Sequence, residues 1–240
     1  MASADVGLVI VAAGSGTRLG AEVPKAFVPL AGVPILGHAL RGARSCPGLA
    51  EVVVVGPSRW LGQAEEVCRS AGFASDDESV SDAVSVTVVA GGATRGDSVA
   101  AGLAALSDAV RVVLVHDAAR CLTPPAVFAR VVKAVRAGAG AAVPGVPVVD
   151  TIKQVDAAGL VVGTPDRAVL RAIQTPQGFA RAVLERAHAG SPDATDDAGL
   201  VERLGEPVLV VAGDERALKV TTCDDLDRAA RFLTAGAAGA

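Results

Sequence analysis

The chain contains no tyrosine, one tryptophan and five phenylalanines, so aromatic side chains make up 2% of its 240 residues. Binding nucleic acid by base stacking draws on aromatics set beside a basic surface. Here 22 basic residues face 26 acidic ones, a formal net charge of −4, and no nucleic-acid partner is expected. Long apolar runs are missing too. Gly, Pro or polar residues interrupt each of them before the about 18 residues that a membrane span needs, so no membrane association is expected. The opening stretch, MASADVGLVIVAAGSG, lacks a basic segment and enters a strand pattern at Val6, which argues against a signal peptide. Cysteine is sparse: Cys46, Cys68, Cys121 and Cys223 lie far apart with no CxxC. That spacing suits neither a disulfide framework nor a zinc site, and points to reduced thiols in the cytoplasm.

What remains is aliphatic. The 51% hydrophobic fraction is mostly Ala, Val and Leu, too much for a disordered chain of modest charge. Val6–Val11, Glu51–Val55, Val86–Val89 and Val110–Val115 are short β-branched runs that predict buried strands. Helical spacing covers Pro34–Arg44, Trp60–Ala71 and Arg95–Leu106, with Pro34 suited to a first turn where a missing N–H is harmless. Strands alternating with helices predict an α/β fold: a Rossmann-like, mostly parallel sheet with helices on both faces and right-handed crossovers.

The second half is less regular. A helix is expected over Pro124–Arg136 and a strand near Gly140–Val143. Thr151–Val155 and Leu160–Thr164 flank Asp156-Ala157-Ala158-Gly159 and predict a β-hairpin. Further helices are expected at Ala180–Ala187, Asp196–Arg203 and Asp224–Leu233, with a strand at Pro207–Val211. Thr222, Asp224 or Asp225 could cap the last helix. The acidic Ala74–Ser85 stretch predicts a surface loop, and the final TAGAAGA a frayed tail. The expected organisation is one domain over residues 1–240 with a protruding hairpin arm at about 147–170, whose apolar face needs a partner subunit.

After the first strand comes a loop of small residues, Ala12, Ala13, Gly14, Ser15, Gly16 and Thr17. Small residues let backbone N–H groups approach an anion, and glycine reaches the positive φ that an anion-binding nest uses. Ligands of open α/β sheets bind at the carboxyl ends of the strands, where this loop falls. The loop is not a Walker A, because Gly20 is followed by Ala21, and not a dinucleotide fingerprint, because Leu19 stands where a third glycine is required. Both failures weigh against ATPase and NAD-dependent oxidoreductase readings. Two cations, Arg18 and Lys25, follow instead. Against a triphosphate each close cation contributes a Coulomb term of about 4 kcal/mol at an effective dielectric of 20, before desolvation.

AAGSGTRLGAEVPKAF, followed in order by GGATRGDSV, VHDAAR, DTIK, TPQGF, ATDDAGLVERLG and LKVTTCDDL, resembles the 2-C-methyl-D-erythritol 4-phosphate cytidylyltransferase family over almost the whole chain. The resemblance implies transfer of a cytidylyl group from CTP to a small phosphorylated polyol, with Arg18 and Lys25 catalytic. It implies CTP binding by residues 12–17 together with Gly91, Gly92, Ser98 and Ala118. Some relatives carry an acidic residue where Ala93 stands, so a base contact there must come from backbone. Asp117, Arg120, Thr151, Arg167, Thr175, Thr195 and Lys219 would position the acceptor. Cys121 stands where the family usually has Pro, and His116 reads as structural. No protein metal site is implied; Mg²⁺ would be held mainly by the CTP phosphates, and the arm would join a homodimer with a composite site. Asp196-Asp197 and Asp224-Asp225 read as helix caps and first-turn dipole partners. A pentitol phosphate such as ribitol 5-phosphate is the alternative acceptor, and a catalytically silent nucleotide-binding protein the alternative class.

Overall fold

The structure, a computed structural model, describes residues 4–14, 16, 19–73, 84–189 and 195–237. Its elements run β1 (Val6–Val11), β2 (Pro29–Leu30), β3 (Val33–Pro34), α1 (Ile35–Ala43), β4 (Leu49–Gly56), α2 (Leu61–Ser70), β5 (Ser85–Ala90), α3 (Arg95–Ala104), β6 (Val112–Asp117) and α4 (Pro125–Arg136). They continue with β7 (Ala141–Pro147), β8 (Gln154–Val155), β9 (Val161–Gly163), β10 (Arg171–Ile173), β11 (Gln177–Ala180), α5 (Arg181–Ala189), α6 (Asp197–Arg203), β12 (Val208–Ala212) and α7 (Cys223–Ala237).

An eight-stranded sheet organises the chain. β6, β1, β4 and β5 lie side by side and parallel. β11 then runs antiparallel between β6 and β7, β10 pairs antiparallel with the far end of β7, and β12 runs parallel to β7. The expected mostly parallel sheet is present, with β10 and β11 reversed. The chain builds outward from β1 through β4 to β5, then returns to β1's other side with β6. That reversal opens a crevice beyond the ends of β1 and β6.

Strand periodicity sorts the aliphatics onto two helical layers. Leu8, Ile10, Val52, Val54 and Leu114 pack with residues of α1, α2 and α4. Val9, Val53, Val55, Val113 and Val115 pack with residues of α3, α5 and α6. Small branched side chains suffice here because β1, β4 and β6 are covered on both faces, the usual condition of parallel strands.

Local differences have simple causes. Pro34 precedes α1 rather than opening it; its ψ of 144° is extended. Pro125 takes the first helical position of α4 instead. The hairpin is shorter than expected, two residues of β8 against three of β9, because it pairs with no further strand. Its turn is as expected: the Asp156 carboxylate accepts from the N–H groups of Ala158 and Leu160, and Gly159 has φ +81°. α7 extends to Ala237, so part of the expected frayed tail is helical. Thr222 Oγ1 accepts from Asp225 N–H, and the Asp225 carboxylate accepts from Thr222 N–H, a reciprocal cap. Most of the expected acidic loop, residues 74–83, lies outside the described residues.

Candidate active site

The first loop leaves the sheet while still tied to it. Ala12 N–H donates to Val55 O at 2.8 Å, and Ala118 N–H, after β6, donates to Val11 O at 3.1 Å. Gly91 N–H donates to Gly56 O at 2.8 Å. A Cβ on Gly91 would stand 2.7 Å from Ala13 Cβ and 2.9 Å from Ser98 Oγ, so glycine there lets the loops after β1 and β5 touch. Between them opens a cavity of about 430 Å³, walled by Ala12, Ala13, Gly14, Lys25, Gly92, Ser98, Asp117, Ala118 and Lys219 among others. Nine residues anticipated from sequence thus share one cleft.

Gly16 lies against Lys25: at φ +71° its Cβ, were there one, would sit 2.6 Å from Lys25 Cβ. The glycine therefore lets the backbone at Lys25 pack directly against it. Ser15, Thr17 and Arg18 lie outside the described residues. Ser98 does less than expected as a reader of a base. Its hydroxyl donates to Thr94 O at 3.0 Å and accepts from Gly92 N–H at 3.2 Å, so it shapes the loop. Thr94 and Asp97 close a capping box at the start of α3.

Asp117, at the end of β6, borders the cleft and a second, smaller cavity of about 200 Å³ that also includes Arg120, Thr175, Thr195 and Lys219. Lys219 Nζ donates to Asp117 Oδ2 at 2.8 Å, and Arg95 approaches Oδ1 at 3.3 Å. Burial alone would raise the Asp117 carboxyl, but the Arg95 and Lys219 charges outweigh it and pull the pKa down to about 2. The group is an anion at neutral pH.

Beneath it, Thr175 Oγ1 accepts from Asp117 N–H at 3.0 Å and meets His116 Nδ1 at 2.9 Å. Thr175 is thus a buried strut under Asp117. His116 is fully buried against Phe128, and burial lowers its pKa to about 4, as a structural histidine requires. Arg120 spends its fork on two carbonyls, Ala217 O at 2.8 Å and Ile173 O at 3.1 Å. It therefore splints the walls of the smaller cavity. Thr151 and Arg167 lie on the hairpin side and line neither cavity within the chain; Arg167 donates to Val149 O at 2.6 Å. Cys121 is buried beside Leu19, Ala39 and Val220, and desolvation pushes its pKa up to about 12, which makes it a core residue.

Some residues of the site escape a linear reading. Arg95 joins Asp117 to Asp197, with Nη1 to Asp197 Oδ2 at 2.7 Å. Asp197 stands in the first turn of α6 and Asp196 caps it, accepting from Gly199 N–H, as expected; what the sequence did not signal is that Asp197 is also a buried ion-pair partner. Gln177 grips α6 by accepting from Ala198 N–H and donating to Asp196. Gln174 exchanges two hydrogen bonds with the backbone of Asp214. The polar pairs around proline in QTPQ hinted at such clamps, though not at their partners.

Among the described residues no group of three or more His, Cys, Asp or Glu could hold a metal. Asp117 is the acidic residue lining the larger cleft, and both its oxygens are engaged. Such a wall fits a cation that arrives on the phosphates of a ligand better than one held by protein.

Residues 6–235 match the family described as IspD, 2-C-methyl-D-erythritol 4-phosphate cytidylyltransferase. The chain belongs to this family. The cytidylyltransferase of that name from Nocardia farcinica is 51% identical over 230 residues, covering 96% of this chain and 94% of the relative. Among solved structures, the 2-C-methyl-D-erythritol 4-phosphate cytidylyltransferase of Thermus thermophilus superposes with a TM-score of 0.73 at 35% identity, over 95% of this chain and 98% of that one. The 4-diphosphocytidyl-2C-methyl-D-erythritol synthase of Anaerococcus prevotii gives 0.81 at 25% identity, over 96% and 98%. Membership in the cytidylyltransferase family agrees with the failed Walker and dinucleotide fingerprints.

Proposed function

We propose that the protein transfers the cytidylyl group of CTP to 2-C-methyl-D-erythritol 4-phosphate, giving 4-diphosphocytidyl-2-C-methyl-D-erythritol and pyrophosphate. The observation that carries this reading is the adjoining pair of cavities with a shared wall of Arg95, Asp117 and Lys219. The larger takes the nucleotide against backbone and Lys25; the smaller, polar one takes the acceptor.

An oxygen of the acceptor phosphate attacks the α-phosphorus in line. A phosphorus–oxygen bond forms, the bond to the β-phosphate oxygen breaks, and pyrophosphate leaves with the electron pair. The phosphate nucleophile is already ionised at neutral pH, so no general base is required. Catalysis then rests on positioning and on charge placed where it develops. Arg18 and Lys25 neutralise the α-phosphate and leaving group, and Asp117 orients an acceptor hydroxyl. Mg²⁺ arriving with CTP would supply further charge neutralisation.

The hairpin supports a homodimer. Val155, Leu160, Val161 and Val162 are each more than half exposed, an apolar surface that a second copy would cover. Thr151 and Arg167 would then complete the partner's acceptor cavity. Four free cysteines support a reducing, cytoplasmic setting, and among the described residues no helix is long and apolar enough to cross a membrane.

Pyrophosphate release from CTP, measured across a panel of polyol phosphates, tests the reading. Methylerythritol phosphate should far exceed ribitol 5-phosphate. Comparable rates would reassign the acceptor, and CTP binding without release would make the protein a silent nucleotide binder.

A further inference from the structure

Asp197 lines neither cavity, yet it is the most buried carboxylate near them, with 1% of its side chain exposed. Both of its oxygens are occupied. Oδ2 accepts from Arg95 Nη1 at 2.7 Å, and Oδ1 meets His188 Nε2 of α5 at 3.1 Å. Burial would raise this carboxyl, but the His188 hydrogen bond and the Arg95 charge hold it below the usual carboxylate range. A buried charge is retained only when paired and hydrogen-bonded, and Arg95 supplies the charge.

The same guanidinium turns its other edge to Asp117, with Nε at 3.4 Å and Nη2 at 3.3 Å from Oδ1. Those bonds are long; the bond to Asp197 is short. Arg95 is thus anchored on the buried carboxylate and leans toward the one that borders the cavities. A planar fork held at one edge cannot swing freely at the other. Without that anchor, an arginine lining the nucleotide cleft would be drawn toward the triphosphate and off Asp117.

We infer that Asp197 is a positioning residue for the transfer: by fixing Arg95 it keeps Asp117 in place on the wall between nucleotide and acceptor. α5 and α6 are thereby tied to chemistry that happens outside them. The inference rests on the proposed reaction, and its test separates the two.

The measurement is a double-mutant cycle between Asp197→Asn and Asp117→Asn, read as steady-state kinetics and as CTP affinity by calorimetry. Asparagine keeps the shape and an acceptor oxygen but removes the charge. Asp197→Asn should lower kcat/KM for the acceptor by about tenfold or more while the CTP dissociation constant stays within about threefold or tightens. Added to Asp117→Asn it should cost less than about twofold more, because the second change acts through a carboxylate already neutralised. A merely structural Asp197 would instead multiply its kinetic loss onto that of Asp117→Asn, which overturns the inference, as would normal acceptor kinetics. Should Asp197→Asn not fold, Arg95→Lys takes its place in the cycle. Lysine keeps the charge but lacks the planar fork that holds both carboxylates in fixed geometry, and full additivity there overturns the inference equally. A wild-type protein that forms no cytidylyl product removes the reaction and this inference with it; an active wild type with additive losses removes the inference alone.

Discussion

Lys219 Nζ lies 2.8 Å from Asp117 Oδ2, joining residues 102 apart in the chain at the boundary of the two cavities. Lys219→Gln should lower kcat by on the order of 100-fold, the scale of losing one preorganised charge. Because one of the three cations holding the Asp117 carboxyl near 2 (Arg95, Lys219 and Arg120) is gone, its pKa should rise. Carbon-detected NMR of that carboxyl checks the shift, and a pKa that stays put would dissolve the pairing.

Lys25 depends on its glycine neighbour. Gly16 and Gly20 both have positive φ, +71° and +62°, but only at Gly16 would a Cβ meet Lys25. Alanine at either should cost about 1–2 kcal/mol of backbone strain. Gly16→Ala alone should also approach the loss expected of Lys25→Ala or Arg18→Ala, roughly 100-fold in kcat. Equal activities of the two glycine variants would argue that Lys25 needs no such clearance.

His116 makes stability depend on acidity. Its folded pKa of about 4 lies below the ordinary 6.5, so the unfolded chain binds the proton first. Its contribution is fully present above pH 6.5 and is lost as pH falls toward 4, by about 3 kcal/mol over that window. Urea unfolding at several pH values should show this slope, and His116→Gln should flatten it.

Thiol chemistry should single out one cysteine. Burial pushes Cys46 and Cys121 up to about 12 and Cys68 to about 11, whereas Cys223 is exposed. A chromogenic disulfide reagent at pH 7.5 should titrate Cys223 in the folded protein and all four thiols after denaturation. Fast reaction at Cys121 would contradict its place in the core.

The hairpin tests the dimer. Leu160→Asp with Val162→Asp should leave a monomer by light scattering that still binds CTP but has lost acceptor turnover. A dimer that survives both changes would place the interface elsewhere.

Much of the fold is legible in the chain because it is local. Val6–Val11 is a strand as expected, a short run rich in β-branched residues that gives way to a loop of small residues. Ala12, Ala13 and Gly14 fall by position alone at the carboxyl end of β1, where open α/β sheets place their ligands. Motif order carried the family. What the tertiary structure decided is which distant polar groups meet. β11 inserts antiparallel beside β6, and this brings Thr175 under Asp117. The start of α6 then comes to rest against the start of α3, and Asp197 meets Arg95 102 residues away. Arg120, expected to position the acceptor, donates to carbonyls of two other segments, Ala217 and Ile173. Periodicity and small-residue loops report the backbone's own geometry. A buried charge takes its partner from whatever the crossovers deliver, and no spacing along the sequence records that.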